Sequence, residues 1–496
     1  MGIIVRQSIK SSIVSYIGVL VGYVNAIILF PAFFQPEQFG LTRVLIAMSF
    51  MMGQFSKLGI HNVIIKLFPY LYNVKRGHHG FLFISLLIPF IGFLFFSGIL
   101  FLLKPPIINI YSEQSPLVAN YFYQVLPLAL FVLYIEVFES YMRANLRITV
   151  PILTKEVIQR FLVTCSIVLF LYNIIDFSLF IDFFVGTYGI SLLILIGYVV
   201  QQKQFYILPK KRPFTKRYLS IIFKYGVFSF LGGLAGIIVN KIDIIMLSAL
   251  SDLEDTAIYS IGFMIATVIQ IPQRNMNKIA MPVISKAWKD KHLAKIQEIY
   301  SSTSINQLLI GLLIFICIWI NIDDLFQWMP KSDIYSQGKS VILLIAVGRL
   351  VAMAMGANNQ IIETSKQYRF NLYARLLLVV ITVSTNLILI PIMGIEGAAL
   401  ATAISLTVFN LLKFIFIFVR FQIQPFSIST IKLLAVAFLT ILIGINIPGT
   451  DYLILNIILR SIIVVVLYSS LVLGFNISQD ATNFFWQTLR WLGIKK

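Results

Sequence analysis

Residues 225–295 read YGVFSFLGGLAGIIVNKIDIIMLSALSDLEDTAIYSIGFMIATVIQIPQRNMNKIAMPVISKAWKDKHLAK, and this segment indicates the class of protein most directly. It contains two apolar segments, 226–250 and 257–284, on either side of a short acidic link. Each segment is long enough to cross a bilayer, which takes about 20 helical residues. Both carry strongly polar or charged side chains well inside, namely Asn240, Lys241, Asp243, Arg274 and Lys278. Such residues are costly in hydrocarbon, so we expect them to face a protein interior or a wet cavity.

The composition of the whole chain agrees with this interpretation. The 496 residues are 59% hydrophobic, which is typical of a polytopic membrane protein whose backbone hydrogen bonds are satisfied within helices. The 2 cysteines, Cys165 and Cys317, lie in apolar runs and indicate no disulfide framework. The uncharged run 11–36 is too long for the apolar core of a signal peptide, so we expect it to be retained as the first span.

Hydropathy predicts an all-α protein with about fourteen transmembrane helices. The predicted spans are 11–34, 39–68, 81–103, 117–142, 151–172, 178–200, 225–250, 256–284, 303–322, 340–362, 370–391, 397–419, 431–448 and 453–475.

The distribution of basic residues supports this number and orients the chain. With the N-terminus inside, the predicted cytoplasmic segments and the span ends next to them contain 27 Lys and Arg, whereas the predicted outer loops contain only 3. Cytoplasmic loops of membrane proteins are enriched in these residues, so both termini are predicted to be cytoplasmic. The same bias accounts for most of the net charge of +19, so no nucleic-acid partner is needed.

The predicted spans divide into two six-helix lobes with two further helices. The N-terminal lobe is expected at 1–203, a basic cytoplasmic linker at 204–224 and the C-terminal lobe at 225–420. Two more spans follow at 421–477, and the aromatic tail 478–496 is too short and polar to span, so we expect it in the inner interface.

A weak internal repeat supports the two lobes, since transporters are often built from repeats. Ser15, Gly18 and Gly22 of the first span match Ser229, Gly232 and Gly236 at an offset of 214. In the second span of each lobe the offset becomes 217, which pairs Lys57 with Arg274 and His61 with Lys278. Because residues four apart share a helix face, each lobe is predicted to present a two-point basic face.

Three motifs make the chain resemble a known family. The segment FQPEQFG at 34–40 is similar to the P-E-x-F-G turn of polysaccharide flippases. Asp243, Tyr259, Pro282 and Ser285 are similar to their D…G-x-Y…P-x-x-S pattern, with Ala257 where Gly is usual, and PIMGIEGAALAT at 391–402 is similar to P-x-x-G-x-x-G-A-A-x-A-T. The chain thus resembles the Wzx-like O-antigen and exopolysaccharide flippases of the multidrug/oligosaccharidyl-lipid/polysaccharide (MOP) exporter superfamily.

The resemblance implies two pseudo-symmetric lobes around a central cavity, as in MATE and other MOP proteins. It implies a flippase in the bacterial inner membrane that moves polyprenyl-pyrophosphate-linked oligosaccharide, such as lipopolysaccharide O-antigen, capsule or exopolysaccharide units, to the outer leaflet. The implied partners are this lipid-linked glycan, membrane lipids and the polysaccharide polymerase machinery.

The candidate site residues are the deep polar ones. Those proposed to bind the pyrophosphate or sugar are Lys57, His61, Asn240, Lys241, Arg274, Lys278 and Arg349, and Asp243 is the coupling-ion candidate. Lys278 also fits snorkelling to the headgroups, and His61 fits a packing role. Glu136 and Glu139 are interpreted as partners of Arg143 and other bundle cations. We expect Lys57 and Arg274 to be unpaired, so that alanine there leaves the fold intact.

The sequence contains no Ser/His/Asp set, metal-ligand cluster or Walker loop, so neither an enzyme, a metal site nor a cofactor is predicted. Three alternatives stay open. A multidrug or cation antiporter of the same superfamily predicts acidic cavity residues, and a membrane-embedded sugar polymerase or ligase predicts large outer loops. The third is a lipid II flippase.

Overall fold

The computed structural model describes residues 14–15, 17–145, 147, 149–208, 215–450 and 452–491. The N-terminal cations Arg6 and Lys10, the linker residues 209–214 and the tail residues 492–496 lie outside the described part. Ten described helices are long and apolar enough to cross a membrane, and two shorter apolar helices, Ile17–Phe33 and Ile60–Leu71, accompany them. The predicted all-α membrane fold is therefore confirmed, while the number of fourteen spans stays a prediction.

By their internal contacts the residues divide into two compact units, Met1–Ala257 and Ile258–Lys496. The helices of the first unit are Ile17–Phe33, Pro36–Ser56, Ile60–Leu71, Phe81–Leu102, Lys104–Gln114, Val125–Ala144, Gln159–Leu171, Phe177–Gln201 and Lys216–Leu250. The seventh predicted span thus groups with the first six in this division. The lobe boundaries proposed from the sequence stay a prediction.

Local sequence explains several helix starts in the first unit. The side chains of Gln35 and Gln38 form reciprocal hydrogen bonds with backbone N–H groups at the start of Pro36–Ser56, and Pro36 occupies a first-turn position that needs no donor. Asp176 accepts a hydrogen bond of 2.8 Å from the Leu179 amide at the start of Phe177–Gln201. Both of these capped helix starts lie next to predicted outer loops.

The glycine pairs of the predicted repeat have different surroundings. In the first span, a side chain at Gly18 would overlap the Glu156 backbone, and one at Gly22 would overlap the Arg160 guanidinium. Positions 232 and 236 of the seventh span have open space within 4 Å. The small residues therefore permit close packing in the first span, whereas no described residue packs against the Cβ positions of the matching pair.

The helices of the second unit are Ile271–Lys289, Leu293–Ile320, Lys339–Ala354, Asn358–Thr364, Arg369–Phe421, Ile428–Ile445, Leu453–Gly474 and Gln479–Trp491. The helix Leu253–Thr267 contains the division between the units. The 53 residues of Arg369–Phe421 are far too long for one span, and they contain one non-helical residue, Gly394 (φ 56°, ψ −127°). This bend separates the eleventh and twelfth predicted spans.

The last two membrane helices pack on the same core as Leu293–Ile320. Leu433, Val436 and Val464 are buried in a cluster with Leu308 and Ile316. The Tyr468 hydroxyl donates a hydrogen bond of 2.9 Å to the Leu309 carbonyl. Both helices lie in the second compact unit.

The tail helix Gln479–Trp491 is attached to Leu293–Ile320 by polar contacts. The Asp480 carboxylate accepts hydrogen bonds of 2.7 Å from both Ser302 and Asn306. Phe485 and Trp486 on the same helix are exposed. An amphipathic helix with exposed aromatic residues fits the predicted interfacial position.

Candidate functional site

The second predicted span is broken at Leu58 and Gly59. Both residues have positive φ, 49° and 76°, and they separate the helices Pro36–Ser56 and Ile60–Leu71. Two neighbouring helices approach closely here: a side chain at Gly92 would overlap the Ser56 carbonyl, and one at Gly59 would overlap the Gly226 carbonyl. We call Leu58–Gly59 the first break. It is fixed by packing from both sides.

Lys57 lies at the first break and forms an ion pair with Glu136 of the helix Val125–Ala144. The Lys57 side chain is 7% exposed and the Glu136 side chain 23%. The expectation that Lys57 is unpaired is therefore wrong, because the fold brings a carboxylate from another helix to it. The interpretation of Glu136 as the partner of a bundle cation agrees with this pair.

His61 and Gln54 lie on either side of Lys57 in the chain and point toward the same helix, Lys216–Leu250. A side chain at Gly233 would overlap the Gln54 amide nitrogen and come within 3.8 Å of the His61 ring. The Gln54 amide nitrogen and His61 Nδ1 are buried without a hydrogen-bond partner in the described part of the chain. The residues beside the first break thus include a cation, Lys57, and two polar side chains, Gln54 and His61. Each of the two has a nitrogen atom without a hydrogen-bond partner among the described residues.

The other candidates of the first unit are placed differently. The Lys241 amine lies 5.7 Å from the centre of the Phe50 ring, which is a cation–π contact. Asn240 is exposed and donates a hydrogen bond of 2.6 Å to the Gly236 carbonyl of its own helix. Asp243 is 3% exposed. The contacts described for Asn240 and Lys241 are therefore made with residues other than Lys57.

The eighth predicted span lies in the continuous helical stretch Leu253–Lys289, which tightens to a 3₁₀ turn in its middle. The helix Leu253–Thr267 ends in a tight 3₁₀ turn at Val268–Gln270, and Ile271–Lys289 begins with Pro272 in its first turn. Proline lacks an N–H group and clashes with the preceding turn, so it favours this local change of helix geometry. We call Val268–Gln270 the second break.

Two arginines meet at the second break. The Gln270 side-chain oxygen accepts a hydrogen bond of 2.8 Å from Arg349 and one of 3.3 Å from Arg274. Arg349 is 7% exposed and also lies over the Phe263 ring at 5.7 Å, whereas Arg274 is exposed. The sequence named both arginines as separate candidates, and the structure brings them to one amide oxygen.

Polar residues continue along Ile271–Lys289. Gln273 donates a hydrogen bond of 3.1 Å to the Ala352 carbonyl, and Gln307 donates one of 2.8 Å to Asn277. Lys278 is exposed. The interior of the second unit is therefore polar for about two helical turns beyond the break.

Besides the pair of Lys57 and Glu136, sequence reasoning missed the contacts of Arg160 in the first unit. Arg160 donates hydrogen bonds of 2.5 Å to Glu156 and to the Gly18 carbonyl. The i,i+4 spacing of Glu156 and Arg160 is the signal that could have indicated the pair. The pairing of Glu139 with Arg143 at 2.7 Å agrees with the sequence interpretation. No cluster of His, Cys, Asp and Glu that could hold a metal ion occurs among the described residues.

Two family models match the sequence. The model described as "Polysaccharide biosynthesis protein" matches residues 4–288, and the MatE model matches residues 229–388. No curated protein matches the chain in sequence.

Solved structures with a similar fold are flippases and transporters. The lipid II flippase MurJ in an inward closed conformation has a TM-score of 0.69 and 15% identity, covering 95% of this chain and 100% of that one. An inward-facing MATE family multidrug resistance transporter of the MOP superfamily has a TM-score of 0.65 and 14% identity, covering 84% and 98%. The Vibrio cholerae MATE transporter VcmN has a TM-score of 0.51 and 13% identity, covering 83% and 96%.

At these identities the structural likeness shows the fold, while the family is shown by the sequence model that spans more than half of the chain. The chain therefore belongs to the polysaccharide biosynthesis protein family, and its fold is that of the flippases and multidrug transporters of the MOP superfamily.

Proposed function

We propose that this chain is a flippase for a polyprenyl-pyrophosphate-linked oligosaccharide, an O-antigen, capsule or exopolysaccharide repeat unit. It moves this substrate from the inner to the outer leaflet of the bacterial plasma membrane. The observation that carries the proposal is the convergence of Arg274 and Arg349 on Gln270 at a 3₁₀ turn within a membrane helix. A 3₁₀ stretch inside a longer helix often marks a functional hinge, and repeat-built transporters bind their substrates at irregular points of membrane helices.

The chemistry of this arrangement suits a pyrophosphate. A guanidinium is a planar fork of N–H donors that matches phosphate oxygens, and charge-assisted hydrogen bonds of this kind are about twice as strong as neutral ones. Arg274 is exposed, so its donors are accessible to a ligand, while Arg349 is held against Phe263 and Gln270. Their convergence supports recognition of an anion rather than of a cationic drug.

The position along the chain supports loading from the cytoplasm. From Leu253 to Gln270 the chain runs through 18 residues, or about 27 Å of helix at 1.5 Å per residue. With the predicted orientation this brings the second break toward the inner surface, where the substrate starts. The first break follows a helix of 21 residues that begins at a predicted outer loop.

Transport then proceeds by alternating access. The pyrophosphate and sugar occupy a basic, water-filled cavity, while the polyprenyl tail stays in the bilayer. Repeat-built transporters achieve this by rocking one half against the other around a fixed site. Asp243, buried in the seventh span, stays the candidate for binding a coupling ion.

A lipid II flippase is the second candidate. The observation that favours it is the likeness to MurJ, which extends over 95% of this chain, against 84% for the multidrug resistance transporter. Both candidates bind a lipid-linked pyrophosphate, so they differ in the glycan and not in the anion.

Complementation separates the two candidates. The chain is expressed in strains that each lack one defined flippase, for O-antigen, capsule, exopolysaccharide or lipid II. We expect surface polysaccharide to return in at least one of the first three strains, and the lipid II strain not to be rescued. Rescue of the lipid II strain alone would replace the proposed substrate with lipid II. Failure in every strain, with the protein present in the membrane, would count against both.

Arg274→Ala is expected to reduce export of the lipid-linked sugar by about tenfold or more, because it removes charge-assisted hydrogen bonds each worth about 1.5–3 kcal/mol. Protein abundance should stay nearly unchanged, because Arg274 is exposed and its contact in the structure is one long hydrogen bond to Gln270. Arg274→Lys should retain part of the activity if charge dominates and lose it if the planar fork is needed. Surface polysaccharide and membrane protein are quantified in the complemented strain.

Lys295→Ala is the matched control. It removes another cation from the second unit, one whose ion pair with Glu298 is exposed on both sides. Exposed pairs contribute little, so export should be normal. Normal export by Arg274→Ala would show that the second break is not the anion site.

A further inference from the structure

A cavity of about 410 Å³ lies in the first unit, where the helices Pro36–Ser56, Phe81–Leu102 and Lys104–Gln114 come together. Every described side chain that lines it is apolar except Tyr111, whose hydroxyl already donates a hydrogen bond of 3.0 Å to the Ile245 carbonyl. A buried water needs about 2–4 polar partners, and cavities with apolar walls stay dry. The cavity therefore suits an apolar ligand.

The lining of this cavity suits a flexible hydrocarbon chain. Met48, Met51 and Met52 lie on one face of the helix Pro36–Ser56 and line the cavity together. Methionine is unbranched and adapts its shape to irregular spaces. Leu103, which also lines the cavity, is 49% exposed at the end of a predicted span. The cavity is therefore open to the bilayer, and a hydrocarbon chain can enter it there.

A cation lies at the rim of the cavity. Leu103 and Ile107 line the cavity on either side of Lys104 in the chain, and Phe122 lines it next to Tyr123. The Lys104 amine donates a hydrogen bond to the Tyr123 hydroxyl and lies 4.0 Å from the centre of the Tyr123 ring. The two side chains thus meet beside the cavity, and we call Lys104 and Tyr123 the rim pair.

The rim pair has hydrogen-bond donors left for an anion. An ammonium group has three N–H donors, of which the contact with Tyr123 uses one, and the Tyr123 hydroxyl keeps its own hydrogen to donate. Among the described residues no carboxylate forms an ion pair with Lys104. Phosphate oxygens accept strong, charge-assisted hydrogen bonds from such donors. An uncompensated cation beside an apolar cavity thus matches an amphiphile with a phosphate group and a hydrocarbon chain.

We propose that the cavity and the rim pair form a binding site for one anionic phospholipid, whose acyl chain fills the cavity and whose phosphate contacts Lys104 and Tyr123. With Lys104 in a predicted outer loop, this is a lipid of the outer leaflet. Phospholipids are the commonest amphiphiles of a bilayer, so mass action favours them over a rarer prenyl phosphate. The bound lipid stabilises the helices around the cavity, because the cost of an empty cavity rises with its volume.

Native mass spectrometry of the purified, delipidated full-length protein tests the site. The probes are phosphatidylglycerol and a diacylglycerol with the same acyl chains, which lacks the phosphate. We expect the first phosphatidylglycerol to bind at least about tenfold more tightly than the diacylglycerol, because it adds charge-assisted hydrogen bonds. Lys104→Ala should bind phosphatidylglycerol about tenfold more weakly than wild type and the diacylglycerol equally well.

Lys339→Ala is the matched control, because it removes another cation of the predicted outer loops, one that pairs with Asp323 in the second unit. Its affinities for both lipids should equal those of wild type. Equal phosphatidylglycerol affinities of Lys104→Ala and wild type would overturn the inference. A prenyl phosphate retained through purification in place of a phospholipid, identified by its mass, would also overturn it.

Ile107→Trp tests the cavity independently of the charge. Ile107 is half-buried, and the larger ring occupies space that the acyl chain would take. Both lipids should bind about tenfold more weakly, because the chain loses buried methylene contacts. The delipidated variant should melt at the same or a higher temperature than delipidated wild type, because the void is smaller. Unchanged affinity for both lipids would contradict the proposed position of the chain.

A second variant keeps this test decisive if Ile107→Trp does not accumulate. Leu100→Phe reduces the same cavity from the helix Phe81–Leu102, with a smaller increase in side-chain volume. The same weakening for both lipids, smaller in size, is expected. Wild-type affinity for both lipids in this variant also overturns the inference.

Discussion

Replacing Gly59 with alanine is expected to abolish export and to reduce the amount of folded protein. At φ 76° an L-residue adopts the left-handed region at a cost of about 1–2 kcal/mol. The new Cβ would also overlap the Gly226 carbonyl oxygen and lie 2.9 Å from the Phe230 amide nitrogen, and such overpacking costs about 1–3 kcal/mol more. Because both groups are backbone of a packed helix, neither can move aside. Detergent-solubilised protein is assayed by size exclusion and thermal melting.

Gly98→Ala is the matched control for this substitution. Gly98 lies in the helix Phe81–Leu102, and among the described residues no atom outside the adjoining helix backbone lies within 4 Å of the position its Cβ would take. Alanine within a helix is favoured over glycine by about 0.5–1 kcal/mol, so this variant should melt at the same or a higher temperature. A Gly59→Ala protein that melts like wild type would mean that the first break is not fixed by packing.

Lys57→Ala is expected to lower the amount of folded protein as well as export. It leaves the Glu136 carboxylate without its cation, and breaking a buried ion pair on one side costs about 3–5 kcal/mol. The partial exposure of Glu136 places the expected loss at the lower end of that range. Membrane abundance and the melting temperature of the purified protein measure it.

The double variant Lys57→Met with Glu136→Met separates stability from function. Replacing both members of a buried ion pair with apolar side chains of similar volume is often neutral or stabilising. We expect abundance to return to near the wild-type amount while export stays low, because the cation is missing. If the double variant exports normally, Lys57 does not bind the substrate. If Lys57→Ala alone is fully abundant, the ion pair adds nothing to stability.

The membrane helices could be predicted because each needs about 20 apolar residues, and a long uncharged run leaves little choice. The run 81–103 corresponds to the helix Phe81–Leu102. The two breaks could not be predicted in this way, because hydropathy is averaged over about 19 residues and does not resolve a change of two or three residues. Gly59 and Pro272 are the local signals for them, since glycine and proline interrupt helices.

The candidate site was predictable only residue by residue. Lys57, Arg274 and Arg349 could each be named because a charge within a span is costly. The pair of Glu139 and Arg143 could be anticipated because four residues on one helix bring them together. The pair of Lys57 and Glu136 lies 79 residues apart, and the shared acceptor Gln270 lies 79 residues from Arg349. Such contacts depend on how helices pack, which periodicity does not encode.

The bend at Gly394 has a consequence for how the protein is made. The eleventh and twelfth spans meet there without a connecting loop, since Arg369–Phe421 is helical on both sides of one residue. A side chain at Gly397 would overlap the Leu389 carbonyl, so the two arms are already in contact at the turn. Before the twelfth span has been synthesised, the polar backbone groups at the end of the eleventh span lie in the bilayer. No polar loop follows them to the outer surface. We therefore expect the translocon to release the two arms together, as a preformed hairpin, and an epitope inserted at this turn to stall biogenesis.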